Sequence, residues 1–352
     1  MSAATSLNPA GHWLLASGIQ EPSGGFARFY DAETGKNRPV STEISGYAAS
    51  ALIYLFRVTG DEAYLACARK TARFLVGVWD EHLRTFPFER SSDLAYFFDC
   101  GIVTRGLLAV WRETRDQQLL DISSAAARGM IADFHSGHDY HPILTLPGKE
   151  PSPRSDRWSR SPGCYQLKSA LAWWDVAEVT GERTLRDGYL DMVKTALTTH
   201  SNFLAGGSCK HQVMDRLHAY CYFLEGLLPM LDRRECIDVY AAGIDSVSKM
   251  LREIEPAFVR SDVYAQLLRA RIYGAGMIPI DTARAALEAD ALAAFQAVSD
   301  DSRINGGFFF GRRDGNMSPH VNPVSTTFAL QALEMWRQHK TESKAPCLPI
   351  LI

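Results

Sequence analysis

The amino-acid sequence predicts an all-α protein with the architecture of an (α/α)6 toroid, a six-hairpin barrel. Segments that are apolar on nearly every side alternate along the chain with segments that are apolar on one side only, and turns of the form Thr-Gly-Asp or Thr-Gly-Glu join two of the pairs. A helix that is apolar all round is buried, whereas a one-sided helix forms a surface layer. Each pair is therefore predicted to be an inner helix backed by an outer helix.

The first hairpin shows this contrast most clearly. Residues 43–59 are apolar on most sides, and the turn Thr59-Gly60-Asp61 leads into residues 61–78, which separate their apolar and charged side chains onto opposite faces. The same order predicts four further hairpins and one unpaired inner helix, at residues 98–134, 164–203, 215–254, 261–298 and 323–338.

The N-terminal segment supplies the missing outer helix in this scheme. Residues 8–17 form a short predicted helix, and packing it beside residues 323–338 closes the ring. The sequence thus predicts one domain over residues 1–340 and a C-terminal tail over residues 341–352. An irregular helical bundle or an open solenoid is the alternative.

Composition restricts the class of protein. Hydrophobic residues make up 46% of the chain and charged residues 22%, which is typical of a soluble globular protein, and the net charge of −3 favours no particular partner. The absence of a basic tract argues against nucleic acid as a partner, and no apolar run reaches the ~20 residues of a membrane span. No signal peptide is apparent, so a cytoplasmic location is predicted. The sequence leaves the oligomeric state open.

The seven cysteines have no Cys-x-x-Cys spacing and mostly lie within helical patterns, which predicts free buried thiols. Three histidines, His135, His138 and His141, are clustered in the longest loop, but no fourth ligand accompanies them. No metal and no cofactor are therefore predicted.

In a toroid the N-termini of all inner helices meet at one mouth, where helix dipoles favour acidic side chains and anionic ligands. The residues predicted there are polar and aromatic, although the helix bodies are apolar. Flat rings together with hydrogen-bonding groups suit a small saccharide. The two candidate catalytic carboxylates are Glu43 and Asp99. The candidate substrate-binding residues are Tyr47, Arg157, Trp158, Tyr165, Gln166, Arg216, His218, Tyr222, Arg260, Asp262 and His320.

Each polar candidate also has a purely structural interpretation. Glu43 could cap a helix that follows Ser41, and Asp99 could be an N-cap, as could Asp215. His218 could be a histidine whose hydrogen bonds are satisfied in the core. Arg260 and Asp262 could form a local ion pair at a helix start. The pair Trp173-Trp174 is expected in the core.

Three segments resemble a known family. The segments are Phe98–Leu108, where an aspartate precedes an apolar run ending in Leu-Leu, Arg157–Gly163, which is similar to a Trp-x-Arg-Gly motif, and Glu43–Tyr47. They resemble the six-hairpin glycosidase superfamily, and within it the unsaturated glucuronyl and rhamnogalacturonyl hydrolases. The resemblance implies that Asp99 is a general acid/base. The chain departs from the family at residues 42–43, where Thr-Glu replaces His-Asp.

The leading functional hypothesis is a glycoside hydrolase that acts on a small, uronate-bearing saccharide. Asp99 would be the general acid/base, and Glu43 the second carboxylate. Arg157, Arg216 or Arg260 would bind a sugar carboxylate, and Tyr47, Trp158 and Tyr222 would form the sugar platform. One alternative is a toroid that binds a glycan or metabolite without catalysis. Another is a sugar epimerase or isomerase, which requires a histidine such as His218 or His320 in the pocket.

Overall fold

The computed structural model describes residues 4–155, 157–204, 210–341 and 351–352, without the side chains of residues 4–7, 210 and 211. These residues are mostly helical, as predicted, and form two compact units. The first unit comprises Glu21–Phe26 and Val40–Phe203; the second comprises Met1–Gln20, Ala27–Pro39 and Leu204–Ile352. None of the described helices is long and apolar enough to cross a membrane.

The helices follow the predicted order closely. They are α1 (Ala4–Ala16), α2 (Thr42–Thr59), α3 (Glu62–Val76), α4 (Phe97–Thr114), α5 (Gln117–Phe134), α6 (Leu167–Thr180), α7 (Arg183–Leu204), α8 (Lys210–Leu227), α9 (Arg234–Ile254), α10 (Ser261–Gly274), α11 (Thr282–Ala293) and α12 (Pro323–Thr341).

The strands are short and lie between the helices. They are β1 (Phe26–Ala27), β2 (Tyr30–Asp31), β3 (Lys36–Asn37), β4 (Val40–Ser41), β5 (Leu94–Tyr96), β6 (His135–Ser136), β7 (Asp139–Tyr140), β8 (Ile143–Thr145), β9 (Glu150–Pro151), β10 (Phe258–Arg260), β11 (Gly311–Arg313), β12 (Asn316–Met317) and β13 (His320–Val321). In the first unit β5, β8 and β9 form one antiparallel sheet; in the second, β10–β12 form one sheet and β13 joins the β2–β3 hairpin.

In the first unit α2, α4 and α6 form the inner layer. Ser41 caps α2 by accepting a hydrogen bond from the backbone N–H of Ile44, and Gly60 ends the helix at φ 74°, a conformation that glycine adopts without a Cβ penalty. Asp61 then caps α3. The predicted hairpin of residues 43–78 is confirmed, because most of α2 is buried while α3 buries one face.

Helices α2 and α4 approach each other at glycine. A Cβ on Gly106 would lie 2.5 Å from the carbonyl oxygen of Gly46, and a Cβ on Gly46 would lie 3.0 Å from the backbone of Val103. Only glycine permits this backbone contact. Glu43 lies about one turn before Gly46 on α2, and Asp99 lies about two turns before Gly106 on α4.

In the second unit α8, α10 and α12 form the inner layer, and every residue of α10 is buried. Helix α1 packs against α12, as predicted for the N-terminal helix. Nearby, the indole N–H of Trp13 donates to the backbone oxygen of Arg303 at 2.8 Å. Of the predicted C-terminal tail, residues 342–350 lie outside the described residues, while Leu351 and Ile352 are buried in this unit.

Two expectations about helix starts are corrected. Helix α8 begins five residues before Asp215, so Asp215 lies inside the helix and cannot be its N-cap. Asp99 is the third residue of α4, whose N-cap is Tyr96 and whose first turn has no side-chain cap. Helix α8 begins with the polar residues 210–212, whereas α4 begins with Phe97 and Phe98, so neither helix starts at its aspartate.

The inner helices are less apolar than expected. Arg105 of α4 forms an ion pair with Asp175 of α6 at 2.7 Å, and both side chains are almost fully buried.

The expectation for the tryptophan pair is correct for Trp173, which is fully buried, but Trp174 is only half-buried. Free thiols are found at Cys67, Cys100, Cys164, Cys221 and Cys236, whereas Cys209 and Cys347 lie outside the described residues.

Candidate active site

The second unit brings together four of the predicted residues where α8 and α10 pack against each other. Strand β10 leads directly into α10, with Arg260 as the N-cap residue and Asp262 in the first turn. His218 and Tyr222 lie one turn apart on α8. All four side chains are buried.

Arg260 is held by two carboxylates. Its Nε and Nη2 donate to the two oxygens of Asp262 at 3.0 and 2.6 Å, and its Nη1 donates to Asp215 at 2.8 Å. The guanidinium carbon also lies 4.7 Å from the ring centre of Phe310. Burial opposes the charge, but Asp262 and Asp215 outweigh it and raise the pKa of Arg260. The predicted local ion pair is therefore present, and it occupies all three guanidinium nitrogens.

His218 lies beside this ion pair and is oriented by an amide. Its Nδ1 lies 2.7 Å from Oε1 of Gln266, and 3.5 Å from a carboxylate oxygen of Asp262. Because an amide oxygen can only accept, Nδ1 carries the proton in this contact. The other ring nitrogen, Nε2, makes no hydrogen bond to any residue within the described ranges. Its lone pair is thus available to accept a proton.

The histidine is neutral at physiological pH. Burial, reinforced by the positive charge of Arg260, lowers the pKa of His218 from 6.5 to about 4, although Asp262 acts in the opposite direction. The same guanidinium overcomes the burial of Asp262 and lowers the pKa of that carboxyl. The arrangement therefore contains a neutral base next to an ionised carboxylate.

An aromatic ring covers one side of the histidine. The ring of Tyr222 meets that of His218 edge to face, with centroids 4.5 Å apart, and Phe328 of α12 continues the aromatic wall at 6.4 Å from Tyr222. Arg216 is half-buried on the same helix as His218.

His320 lies in β13, paired in register with Asp31 of β2. Its ring packs 4.2 Å from the ring centre of Phe29. Burial lowers the pKa of His320, and the charge of Asp31 offsets part of this effect. None of the contacts among the described residues joins His320 to Arg260 or His218.

The first unit holds the other predicted residues. Asp99 is 4% exposed, and its charge adds to burial in raising the pKa of Tyr165, so the two groups lie near each other. Tyr165 donates its hydroxyl to the backbone oxygen of Ser161 at 3.1 Å and meets the ring of Trp158 edge to face at 5.0 Å. Tyr165 thus contacts Trp158 and lies near Asp99, and a substrate site at these residues stays a prediction.

Gln166 has a local structural role. Its Oε1 accepts from the backbone N–H of Gly163, and its Nε2 donates to the backbone oxygen of Tyr140, both at 3.1 Å. It also lines a cleft of about 280 Å³ next to α7, together with Cys164 and Phe203.

The remaining predicted residues differ in exposure. Glu43 is half-buried in the first turn of α2, Tyr47 is 1% exposed one turn further, and Arg157 is exposed before the short 3-10 helix at Trp158–Arg160. A common mouth formed by the predicted residues of both units remains a prediction.

A polar stripe on the inner helices was not recognised in the sequence. Asp262, Gln266 and Arg269 recur at i, i+4 and i+7 of α10, which places them on one face of the helix. His218, Tyr222 and Glu225 repeat the same spacing on α8. This spacing was the signal that could have identified Glu225 and Arg269. Over the described ranges, no three His, Cys, Asp or Glu side chains are placed to hold a metal ion.

Comparison with solved structures identifies the class of fold. The cellobiose 2-epimerase of Spirochaeta thermophila superposes with a TM-score of 0.72 at 12% identity, covering 94% of this chain and 95% of its own. A D-mannose isomerase gives 0.69 at 9%, covering 96% and 97%. The unsaturated glucuronyl hydrolase of Bacillus sp. GL1 gives 0.62 at 17%, covering 94% and 95%.

The chain therefore shares the all-α fold of these solved structures, as the sequence predicted. Proteins with this fold include sugar epimerases, a sugar isomerase and glycoside hydrolases, so the fold alone does not select one reaction. No protein-family model and no curated protein matches the sequence.

Proposed function

We propose that the protein is a carbohydrate-active enzyme that moves a proton within a sugar, as an epimerase or an aldose–ketose isomerase, with His218 as the base. The observation that carries the proposal is the 2.7 Å contact between Nδ1 of His218 and Oε1 of Gln266. It fixes the tautomer whose Nε2 lone pair can accept a proton. The names of the structural neighbours, a cellobiose 2-epimerase and a D-mannose isomerase among them, support this substrate class.

The proposed reaction begins with the open-chain form of a reducing sugar. Nε2 of His218 takes the proton from C2, and the electron pair of the C2–H bond forms a C1–C2 double bond as the C1 carbonyl becomes an enolate oxygen. Return of the proton from Nε2 to the opposite face of C2, after the enediolate has turned in the site, gives the epimer. Transfer of the O2 proton to O1, followed by return of the Nε2 proton to C1, gives the ketose. No oxidant or reductant is consumed.

The charges around His218 act on this step in both directions: Arg260 disfavours the imidazolium, whereas Asp262 and Asp215 stabilise it. Asp262, Asp215 and Arg260 together carry one net negative charge when the two carboxylates and the guanidinium are ionised. The imidazolium that forms on proton transfer cancels this charge, with a carboxylate oxygen of Asp262 3.5 Å from Nδ1. A charge that develops in a buried site is stabilised most by groups already in place.

A glycoside hydrolase is the second candidate. The observation that favours it is the position of Asp99, a buried carboxyl that is not the N-cap of α4 and lies near the aromatic side chain of Tyr165. Asp99 would donate a proton to the glycosidic oxygen, and Glu43 would activate water or position the substrate. The unsaturated glucuronyl hydrolase among the neighbours supports a uronate-bearing substrate for this alternative.

One experiment separates the two reactions. The protein is incubated in D2O with a panel of aldoses, ketoses, β-linked disaccharides and unsaturated uronyl disaccharides, and NMR follows deuterium at C1 and C2, isomer formation and new reducing ends. The expected result is epimerisation with deuterium at C2, or aldose-to-ketose isomerisation with deuterium at C1, lost in His218→Asn and kept in Asp99→Asn. New reducing ends that disappear in Asp99→Asn and persist in His218→Asn would reverse the assignment. No reaction on any member of the panel would favour a binding protein.

A further inference from the structure

The second unit contains a buried site occupied by the residues Leu351 and Ile352. Their exposed fractions are 2% and 1%, comparable to the core of the unit. They are separated from the end of α12 at Thr341 by residues 342–350. These two residues are therefore part of the inner packing and not an appendage of the fold.

Side chains of two inner helices recognise the backbone of Ile352. Its N–H donates to Oε1 of Gln331 on α12 at 3.1 Å, and its backbone oxygen accepts from Nη1 of Arg269 on α10 at 3.3 Å. Both side chains have no exposed surface. The two contacts use backbone atoms of Ile352, so they fix the position of the peptide, while its side chains are buried.

Arg269 is itself held in place from three directions. Its Nη2 forms a very short ion pair with Glu225 of α8, Nη1 also donates to Gln331 at 3.1 Å, and the guanidinium carbon lies 4.0 Å from the ring centre of Phe328. A buried charge is tolerated only when it is paired and hydrogen-bonded, and removing one partner leaves a costly unsatisfied group. Ile352 supplies one of these partners.

The site lies on the same helix faces as the candidate base. Glu225 is seven residues after His218 on α8, and Arg269 is three residues after Gln266 on α10, spacings that keep side chains on one face at about two turns and one turn. The peptide thus packs beside the pair of helices whose register places Nδ1 of His218 against Gln266.

We propose that Arg269, Gln331 and Glu225 form an intramolecular binding site for the aliphatic dipeptide Leu351-Ile352, and that the docked dipeptide maintains the α8–α10 register on which the His218–Gln266 contact depends. The proposal requires no enzymatic activity, because it concerns packing and hydrogen bonding within the second unit. Substitutions at Leu351 and Ile352, more than 130 residues after His218 in the sequence, are therefore expected to alter the environment of the His218 ring.

The test uses the full chain with the double substitution Leu351→Ala and Ile352→Ala. The matched control is Leu287→Ala with Val298→Ala, since these residues are 70% and 85% exposed. Because large-to-small substitutions in a core leave cavities, the first variant is expected to lower the Tm by at least about 5 °C and the control by less than about 1 °C. Equal Tm values for the two variants would overturn the docking site.

The second measurement is the ring N–H resonance of His218 in 15N-labelled protein. It is expected to exchange faster with solvent in the Leu351→Ala, Ile352→Ala variant than in the control, as the contact with Gln266 loosens. A lower Tm with an unchanged His218 resonance would overturn the effect on register. If the double variant does not fold, Ile352→Val is used for both measurements, with Val298→Ala as its control. Neither readout depends on the proposed reaction, so failure here and failure of the enzymatic proposal are distinguishable.

Discussion

Nδ1 of His218 lies 2.7 Å from Oε1 of Gln266, and both side chains are almost completely buried. This contact joins two neighbouring inner helices and selects one tautomer of the imidazole. Because the amide oxygen cannot donate, Nε2 is left with a lone pair, and the low pKa of about 4 keeps the ring neutral. Gln266 thereby orients the imidazole that we propose as the base.

His218→Asn is expected to remove the base while keeping the hydrogen bond. The asparagine amide nitrogen takes approximately the position of Nδ1 and can still donate to Gln266, but nothing replaces Nε2. Proton abstraction should fall by about 10²–10⁴-fold in kcat, with little change in Tm. The control is His12→Asn, at an exposed position of α1, which should leave kcat unchanged. Retention of more than about half the wild-type kcat in His218→Asn would contradict the role of His218.

Gln266→Glu is expected to change the acidity of His218 without removing its orientation. A carboxylate at this position accepts the same hydrogen bond and adds a negative charge, which raises the pKa of the ring. The acid limb of the kcat/KM profile, and the 15N chemical shifts of the ring, should move to higher pH by about one unit or more. Unchanged titration in both measurements would show that residue 266 does not face Nδ1.

Stability should fall in acid because His218 is buried in its neutral form. Its pKa is about 4 in the folded state and about 6.5 in the unfolded chain, so the unfolded state binds the proton first. The contribution of His218 to the free energy of unfolding is thus constant above about pH 6.5. It is lost progressively as the pH falls to about 4. The groups that face the ring are Asp262, Arg260 and Gln266 on α10 and at its N-cap, and Asp215 and Tyr222 on α8.

The full loss from this one group is about 3 kcal/mol. Urea unfolding at a series of pH values measures it, and the His218→Asn variant should show a flatter dependence between pH 6.5 and 4. Parallel curves for the two proteins would indicate that His218 is solvated or protonated in the folded state.

Removal of Arg105 should lower the free energy of unfolding by more than removal of a surface arginine from an ion pair of similar length. Arg105→Ala leaves Asp175 buried near a single remaining arginine, Arg112 at 3.9 Å, so a loss of about 3–5 kcal/mol is expected in urea unfolding. The matched control is Arg128→Ala, which removes the exposed pair with Glu182 at 2.6 Å and should cost about 0–1 kcal/mol. Similar losses for both would contradict the importance of burial here.

Gly106→Ala should destabilise the first unit although alanine favours helix formation. The new Cβ would lie 2.5 Å from the carbonyl oxygen of Gly46, so α2 and α4 must separate. Gly276→Ala serves as the control, because nothing lies within 4 Å of a Cβ there. We expect a Tm decrease of several degrees for the first substitution only, and equal Tm values would argue against the close contact.

The helical fold could be predicted because its signal is local. The periodicity of residues 43–78 and the turn at Gly60 are contained in a short stretch of chain, and the structure reproduces them as α2 and α3. The start of α8 was missed, since its first turn is polar and no apolar stripe marks it.

The candidate site could be predicted only in part. Arg260 and Asp262 are two residues apart, so their ion pair is visible in the sequence as a local possibility. His218 and Gln266 are 48 residues apart, and their contact depends on how α8 and α10 pack. The burial of Arg269 likewise depends on Glu225 and on residues near the end of the chain, and no local pattern pairs these groups.

Helix α1 packs against residues that are synthesised much later, and this separation affects how the chain folds during synthesis. Trp13 bonds to the backbone of Arg303, 290 residues later, whereas Val40–Phe203 in the first unit is one continuous stretch. At about 5–20 residues per second, the ribosome releases α1 roughly 15–60 s before that partner exists. The residues of α1 that pack against α12 lack that partner throughout this interval. A pulse of ribosome-bound intermediates should therefore contain a protease-resistant first unit while α1 is still accessible.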